Sequence, residues 1–318
     1  MVTMRDIAKQ VGISVSTVSR YVNRSGYVSA KTGARIQAVI DATQFVPNTI
    51  ARDLSKGHTL NIGVIVPHLN HPYFSQLLAG IVAAAFESSH HYQIVLLQSN
   101  YDSGREMAYL EQLQRRTYNG LIFTSHAIAL ADMLPYQQYG AIVCCEDPGM
   151  IDLAAAFATR TQTYLAAFRR IQSLGYRRIG ILLSRNDDVS ATSQHTSACF
   201  QTVFGSSPIP ELLQTNVTTY QDGYRVAGDY LSRNLQPEMI FTNGDDVAAG
   251  VAQRYQEAKQ PVPPLMGQEN QLSSRLLNIP TIDHHFERVG RLAFGLAESQ
   301  QVQRIAVDSQ LISRGWFE

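Results

Sequence analysis

The chain is poor in charge, in cysteine and in long apolar stretches, and each shortage removes a class of protein. Charged side chains make up 16% of the 318 residues while hydrophobic ones reach 45%, too apolar and too sparsely charged a mixture for a disordered chain. No run approaches the roughly 20 apolar residues that a membrane-spanning helix needs, so no membrane partner is expected. The three cysteines, Cys144 and Cys145 adjacent and Cys199 apart, neither staple a small scaffold nor have metal-ligand spacing, and are expected to be buried small hydrophobes. His284 and His285 have no Cys, Asp or Glu at ligand spacing beside them, so no metal is expected there either. The N-terminus opens on an amphipathic polar pattern without an apolar leader core, which makes the cytoplasm the expected compartment. Gly-x-Ser-x-Gly, Gly-x-x-x-x-Gly-Lys-Ser/Thr, His-Glu-x-x-His and Gly-x-Gly-x-x-Gly are all missing, and with them the nucleophile elbow, the phosphate cradle, the zinc helix and the dinucleotide turn. The reading is therefore of a protein that is not an enzyme and needs no cofactor.

Length makes two or three domains the expectation. Net charge is zero but unevenly spread: residues 1–57 hold eight Lys+Arg against three acids, a net of +5, and the remaining 261 hold 18 basic and 23 acidic side chains, a net of −5. A small cationic head on an acidic body suits a protein that meets a polyanion with one end only.

Within the head, Ile7, Ala8 and Val11 recur at helical spacing and Gly12 follows, so a short amphipathic helix is expected to break into a tight turn there. Ser14 is placed to cap a second helix running to about Asn23, with Val18 and Val22 facing inward. Ser29 repeats the capping signature, and Ala34, Ile36, Val39 and Ile40 supply the apolar face of a third helix. The pattern predicts a small all-helical, helix-turn-helix head over residues 1–46, whose second helix meets the major groove of double-stranded DNA with its N-terminal residues nearest the base edges. Val15, an apolar side chain with no core to enter, suits a thymine methyl; Ser16 donates or accepts at any base; Arg20, one turn on, suits guanine O6/N7. Ser14, Thr17 and Ser19 beside them are suited to positioning contacts with phosphates.

Residues 47–58 begin at Pro47 and end near Gly57, the punctuation of one short helix that is marginal alone in water. From Leu60 the pattern changes. Short β-rich apolar runs are expected as strands at Leu60 to Pro67, Gln93 to Gln98, Gly120 to Thr124, Ala141 to Cys145, Arg178 to Leu183, Met239 to Thr242 and Val262 to Met266, with helical stretches between them such as Pro72 to Phe86, Arg105 to Arg115 and Tyr164 to Leu174. This rhythm is α/β with mostly parallel sheets. Roughly 260 residues of it fit two doubly wound lobes with a ligand cleft between them.

The run Asp6-Ile7-Ala8, Val11-Gly12-Ile13-Ser14, Thr17-Val18-Ser19-Arg20 and Val28-Ser29, followed by Pro47-Asn48, Ala51-Arg52 and Leu54, resembles the DNA-binding head and hinge of the lactose/galactose repressor family, nearly without a break over the first 57 residues. Leu174 to Gly180 is a second stretch similar to that family. The resemblance implies that two hinge helices pair in a homodimer and enter the minor groove, where Leu54 wedges a central base step beside Ala51 and Arg52, with Asn48 and Lys56 on the phosphates. It also implies a two-lobed, periplasmic-binding-protein-like body over residues 59–318, the first lobe about 59–160 and 286–312, the second about 161–285.

By the same resemblance the effector cleft is lined by His68, Tyr73, Phe74, Thr196, Asp245, Glu269, His284 and Phe286. Thr196 stands where many relatives carry an arginine, although Arg185 upstream can substitute, and Gln162 stands in place of an interlobe aspartate. Without that arginine a neutral sugar is favoured over an anion. The function implied is allosteric repression of a carbohydrate-utilisation operon at a pseudo-palindromic operator, gated by a small sugar-like effector; a phosphorylated carrier protein or a non-sugar effector is the alternative. No leucine heptads follow Leu311 to Arg314, so a dimer is expected rather than a tetramer held by a helix bundle.

Overall fold

The computed structural model describes residues 2–46, 59–69, 71–186 and 190–317. It divides the chain into two compact units, Met1–Thr59 and Leu60–Glu318. The residues expected to form the hinge, among them Asn48, Ala51, Arg52, Leu54 and Lys56, lie outside those described.

The first unit is trihelical, with α1 at Met4–Val11, α2 at Val15–Val22 and α3 at Ala30–Thr43. Thr3 and Asp6 close a reciprocal capping box on α1, and Gly12 ends that helix at φ 69°, a left-handed conformation that glycine adopts without cost. Ile7, Ala8, Val11, Val18 and Ile36 form the buried core. Ala34, expected in the core, is exposed; Gly33 takes the inner position instead because the ring of Tyr21 lies where a side chain would go, 2.8 Å from a Cβ built there.

The second unit contains two six-stranded sheets. In the first lobe β1 (Asn61–Val66), β2 (Gln93–Gln98), β3 (Gly120–Phe123), β4 (Ala141–Cys144), β5 (Ala154–Thr159) and β11 (Arg304–Asp308) lie in the order β2-β1-β3-β4-β5-β11, every pair parallel. In the second, β6 (Ile179–Leu182), β7 (Leu213–Gln214), β8 (Met239–Phe241), β9 (Leu265–Gln268), β10 (Thr281–Asp283) and β12 (Gln310–Ile312) lie in the order β7-β6-β8-β9-β10-β12, parallel except for the antiparallel β10–β12 pair. The expected lobe boundary changes at its end. Residues 310–312 pair with β10, so the chain crosses a third time after β11 and the last strand belongs to the second lobe.

Both faces of each sheet are covered, which is why the strands read as near-continuous apolar runs. On β1, Ile62, Val64 and Val66 enter one cluster with Leu77, Ile81, Val289 and Phe294, while Ile65 enters the opposite cluster with Leu110 and Leu113. In the second lobe Ile179, Ile181 and Phe241 pack with Phe168 and Phe200, and Leu182 and Ile240 with Val226 and Val251.

Helices that share a face approach closely at glycines. Helices α4 (Pro72–Glu87) and α12 (Phe286–Ser299) meet so tightly that a Cβ on Gly80 would lie 1.9 Å from the carbonyl oxygen of Glu287, and one on Gly290 2.1 Å from that of Leu77. The second lobe repeats the device between α9 (Tyr220–Ser232) and α10 (Asp245–Glu257) through Gly223 and Gly250. Gly290→Ala is therefore expected to cost about 1–3 kcal/mol or more in urea unfolding, because the backbone it meets must shift. Gly295→Ala on the same helix, where nothing lies within 4 Å of the added carbon, should be neutral or stabilise slightly.

Candidate functional site

Two surfaces carry the chemistry, one on each unit. On the head, Ser14 caps α2 by accepting from the amide of Thr17 at 3.2 Å, and its hydroxyl also lies 2.8 Å from those of Ser16 and Thr17. Val18 anchors the inner face in the core, which turns Val15, Ser16 and Arg20 outward; Val15 is 43% exposed although it begins the helix. Ser19 is half-buried and its hydroxyl accepts from the side-chain amide of Asn23 at 3.1 Å, so it is less free than its neighbours. Both acids of the described head are engaged. Asp6 sits in the capping box, its carboxyl held below the usual range by the Thr3 hydroxyl and amide, and Asp41 accepts from the Gln37 amide at 2.7 Å. Among the basic residues, Arg35 donates to the carbonyl of Val11 at the end of α1, while Arg5, Lys9, Arg20, Arg24 and Lys31 are exposed. The face left is cationic and rich in hydroxyls.

On the body, a cavity of about 570 Å³ lies at the carboxyl ends of the strands of both lobes, where ligands bind in open α/β sheets. His68 follows β1, Tyr101 follows β2, Ser125 follows β3, and Cys145 and Glu146 follow β4. The second lobe adds Ser184 and Arg185 after β6, Asn216, Thr218 and Thr219 after β7, Asn243 after β8, and Gln268 and Glu269 in and after β9. Six of the eight expected residues line it: His68, Tyr73, Phe74, Glu269, His284 and Phe286.

The two others have different work. Thr196 is buried on α8 (Ala191–Phe204), donates to the carbonyl of Thr192 at 2.9 Å and bonds Tyr164, so it sits one turn behind the wall that Ser190 and Thr192 form. Asp245 is fully buried, accepts from the Thr281 hydroxyl (2.7 Å) and the Gln271 amide (2.6 Å), and ties α10 to the strands beside it. Burial pushes its carboxyl up to about 6. The asparagine that faces the cavity is Asn243, two positions earlier. Gln162 is exposed, and from that crossover it is Arg160 that enters the cavity. With Arg185 the wall thus holds two guanidinium groups, which removes the premise for expecting a neutral ligand. Arg160 was not legible from spacing, because only the β5 crossover gives it a direction. The thiols of Cys144 and Cys145 are free and buried as expected.

The wall is held from behind. Neutral His284 donates through Nε2 to Gln268 Oε1 at 3.0 Å and accepts at Nδ1 from the Ser309 hydroxyl at 2.7 Å; burial and nearby Arg160 keep its pKa far below the ordinary histidine value. Tyr164 donates to the same Gln268 oxygen at 2.7 Å, and Gln268 in turn donates to the carbonyl of Thr242 at 3.0 Å. Tyr73, Phe74 and Phe286 form an edge-to-face aromatic group with centroids 4.6–4.8 Å apart around Tyr73. Glu269 stands at φ 88°, in the left-handed region that costs a non-glycine residue strain. Its carboxyl is pushed well above the usual range by burial and by Asp245 and Asp246, and it accepts from the Gln271 amide at 2.5 Å.

Residues 59–268 match the family model "periplasmic binding proteins and sugar binding domain of LacI family", and residues 3–48 match "bacterial regulatory proteins, lacI family". Catabolite control protein B of Bacillus subtilis (strain 168) is 34% identical over 296 residues, covering 93% of this chain and 94% of that one. The HTH-type transcriptional repressor PurR of Photorhabdus laumondii is 26% identical over 99% of this chain and 96% of that one. Among solved structures, the lac repressor dimer bound to operator and the anti-inducer ONPF shares the fold with a TM-score of 0.77 at 20% identity, over 98% of each chain. A LacI family transcriptional regulator from Lactobacillus casei with bound sucrose shares it with a TM-score of 0.71 at 21% identity, over 80% of this chain and 98% of that one.

His71 gives the cavity a pH dependence. Its Nδ1 caps α4 by accepting from the amide of Tyr73 at 3.1 Å, which requires the neutral ring, and burial followed by His68 lowers its pKa to about 4. The unfolded chain takes up this proton near the ordinary value of 6.5, so the stability His71 contributes is complete above that pH and is lost as pH falls toward 4. His71→Asn keeps a capping acceptor without a titrating ring. The difference in unfolding free energy between parent and variant should move by up to about 3 kcal/mol across that window, against the variant at high pH and toward it at low pH; a flat difference would remove the role.

Proposed function

The chain belongs to the lacI family of bacterial regulatory proteins and is a DNA-binding transcriptional regulator, and we propose that it acts as a homodimeric, cytoplasmic repressor whose hold on a pseudo-palindromic operator is gated by a hydroxyl-rich, sugar-like effector in the body cavity. The observation that carries the DNA half is the outward face of α2, where Val15 is left in solvent beside Ser16 and Arg20 while the other apolar residues of that helix turn inward. In this reading these three meet base edges, Ser14, Thr17 and Ser19 position the head, and the segment carrying Asn48, Ala51, Arg52, Leu54 and Lys56 enters the minor groove with its partner copy.

For the effector, a cavity with aromatic faces and both donors and acceptors on its wall is the chemistry that holds a ring bearing hydroxyls. The sucrose in the Lactobacillus casei regulator supports the sugar class, and the names of the lac and PurR relatives support repression; a carbohydrate-utilisation operon is the target that a sugar effector would imply. Coupling between the two sites is reciprocal: an effector that weakens operator binding is itself bound less tightly on DNA. Selection of randomised duplexes at fixed salt, followed by titration of the selected complex with candidate sugars, tests the whole reading. A palindrome released or tightened by one of them supports it, and recovery of no motif overturns it.

Two expected outcomes are narrower. Substituting Val15 or Ser16 should change the preferred half-site, by about 1–3 kcal/mol of discrimination at the altered position, whereas Lys56→Ala should weaken all sequences alike. Equal losses on every operator variant would contradict the assignment. In the same reading dimerisation uses the first lobe, a reading supported by the exposure of Val82 and Phe86, one turn apart on α4, and of Leu96 on β2, Phe86 to 90%; the assembly named for the lac relative supports a second copy as the occupant. Phe86→Asp should yield a monomer in sedimentation and cost operator affinity while leaving effector binding in place.

A further inference from the structure

Resting on the reading of the cavity as the effector site, its charges narrow the ligand class. Two guanidinium groups line it, Arg160 from the β5 crossover and Arg185 after β6. Neither forms an ion pair with a carboxylate among the described residues. The Nε of Arg160 is buried and makes no hydrogen bond there, and its guanidinium carbon lies 5.8 Å from the centre of the Phe286 ring. Arg185 is stacked over Tyr101 at 4.0 Å, and a stacked guanidinium keeps its in-plane N–H donors free for a planar or tetrahedral oxygen group.

The carboxylates on the same wall do not neutralise them. Glu146 is engaged by His126 Nε2. Glu269 is crowded by Asp245 and Asp246, accepts from Gln271, and is favoured in its protonated form by burial, which outweighs the opposing pull of Arg160. Ser190, the N-cap of a 14-residue helix, and Ala191 and Thr192, its first two residues, face the same space, where the helix N-terminus adds partial positive charge. Both arginines are half-buried, and a cation partly withdrawn from water without an ion-pair partner among the described residues gains when an anion arrives.

We propose that the effector carries an anionic oxygen group, a carboxylate or a phosphate, held jointly by Arg160 and Arg185, with its hydroxyl-bearing portion against Glu269 and the aromatic group. The acidic class is what distinguishes this cavity from one built for a neutral sugar. Arg160 and Arg185 are then binding residues, and among the described residues neither is ion-paired with an acid in the ligand-free protein.

The test is stabilisation of the full-length protein against heat at matched ionic strength by inorganic phosphate, gluconate, glucose 6-phosphate and uncharged glucose, with sodium chloride as the salt control. At least one anion should raise Tm saturably, and its apparent affinity should fall roughly tenfold or more in Arg160→Gln and in Arg185→Gln. Gluconate acting alone identifies the carboxylate, and the phosphates acting without it identify the ester. Arg160→Gln should leave the Tm of the ligand-free protein unchanged or higher, since it removes a charge that has no ion pair among the described residues; a marked fall would mean that the charge is structural and would overturn the proposal. Anion stabilisation that survives both substitutions would place the anion elsewhere and overturn it too. Stabilisation by glucose alone would overturn the acidic class while leaving the cavity as the effector site, and no stabilisation by any anion overturns the proposal, the effector reading being decided separately by release of the selected operator.

Discussion

A parallel sheet has to be covered on both faces, and most of the body follows from meeting that demand twice. Each sheet is sandwiched between helices, and the connections that carry the chain from one parallel strand to the next bring every strand of a lobe except the antiparallel β12 to the same end. The loops leaving those ends have nowhere to pack except against the other lobe, so the space between them collects side chains from nearly every strand. Close helix approach at Gly80 with Gly290, and at Gly223 with Gly250, sets how tightly each face is sealed. The cavity is thus a by-product of topology, and its chemistry is a matter of which residues stand one or two places beyond each strand.

That division explains what could be read from the sequence. Strands with β-branched or long aliphatic runs, such as Asn61–Val66 and Gln93–Gln98, stand where pattern put them. The β5 strand reads Ala154-Ala155-Ala156-Phe157-Ala158-Thr159, a composition with no strand preference that is held in place by β4 on one side and β11 on the other; tertiary pairing overrides propensity there. Strands β7, β10 and β12, two or three residues long, are too short to leave a period. In the head the capping serines and the glycine turn are local signals, and local signals survive without knowledge of the fold. Ala34 misled because helical spacing alone cannot tell which of two adjacent small residues faces a ring.

Site residues divided the same way. Those immediately after a recognisable strand, His68 and Glu269, line the cavity, as do Tyr73 and Phe74 at the helix that follows β1. Asp245 and Thr196 were placed by family alignment, and each belongs one layer behind the wall, where it satisfies backbone amides or positions Tyr164. Arg160 escaped because its direction depends on a crossover after a strand that composition hid. A strand hidden by its composition therefore hides a cationic wall residue as well.

The contacts across the cleft say what a ligand there has to do. Gln76 of the first lobe donates to the carbonyl of Glu269 in the second at 3.1 Å, His71 lies 3.9 Å from the Glu269 carboxyl, and Tyr101 of the first lobe carries Arg185 of the second on its face. The last two join a wall residue of one lobe to a wall residue of the other, while Gln76 reaches the wall residue Glu269 from outside the cavity, so a molecule bound among them contacts both lobes at once. A ligand shifts a conformational equilibrium only by the difference in its affinity for the two states. Residues confined to one lobe would bind equally well at any lobe angle and transmit nothing. Because the polar groups of this wall are split between lobes, a molecule bound among them would hold more tightly at one lobe angle than at another, which is the physical requirement for a cavity that reports on its contents.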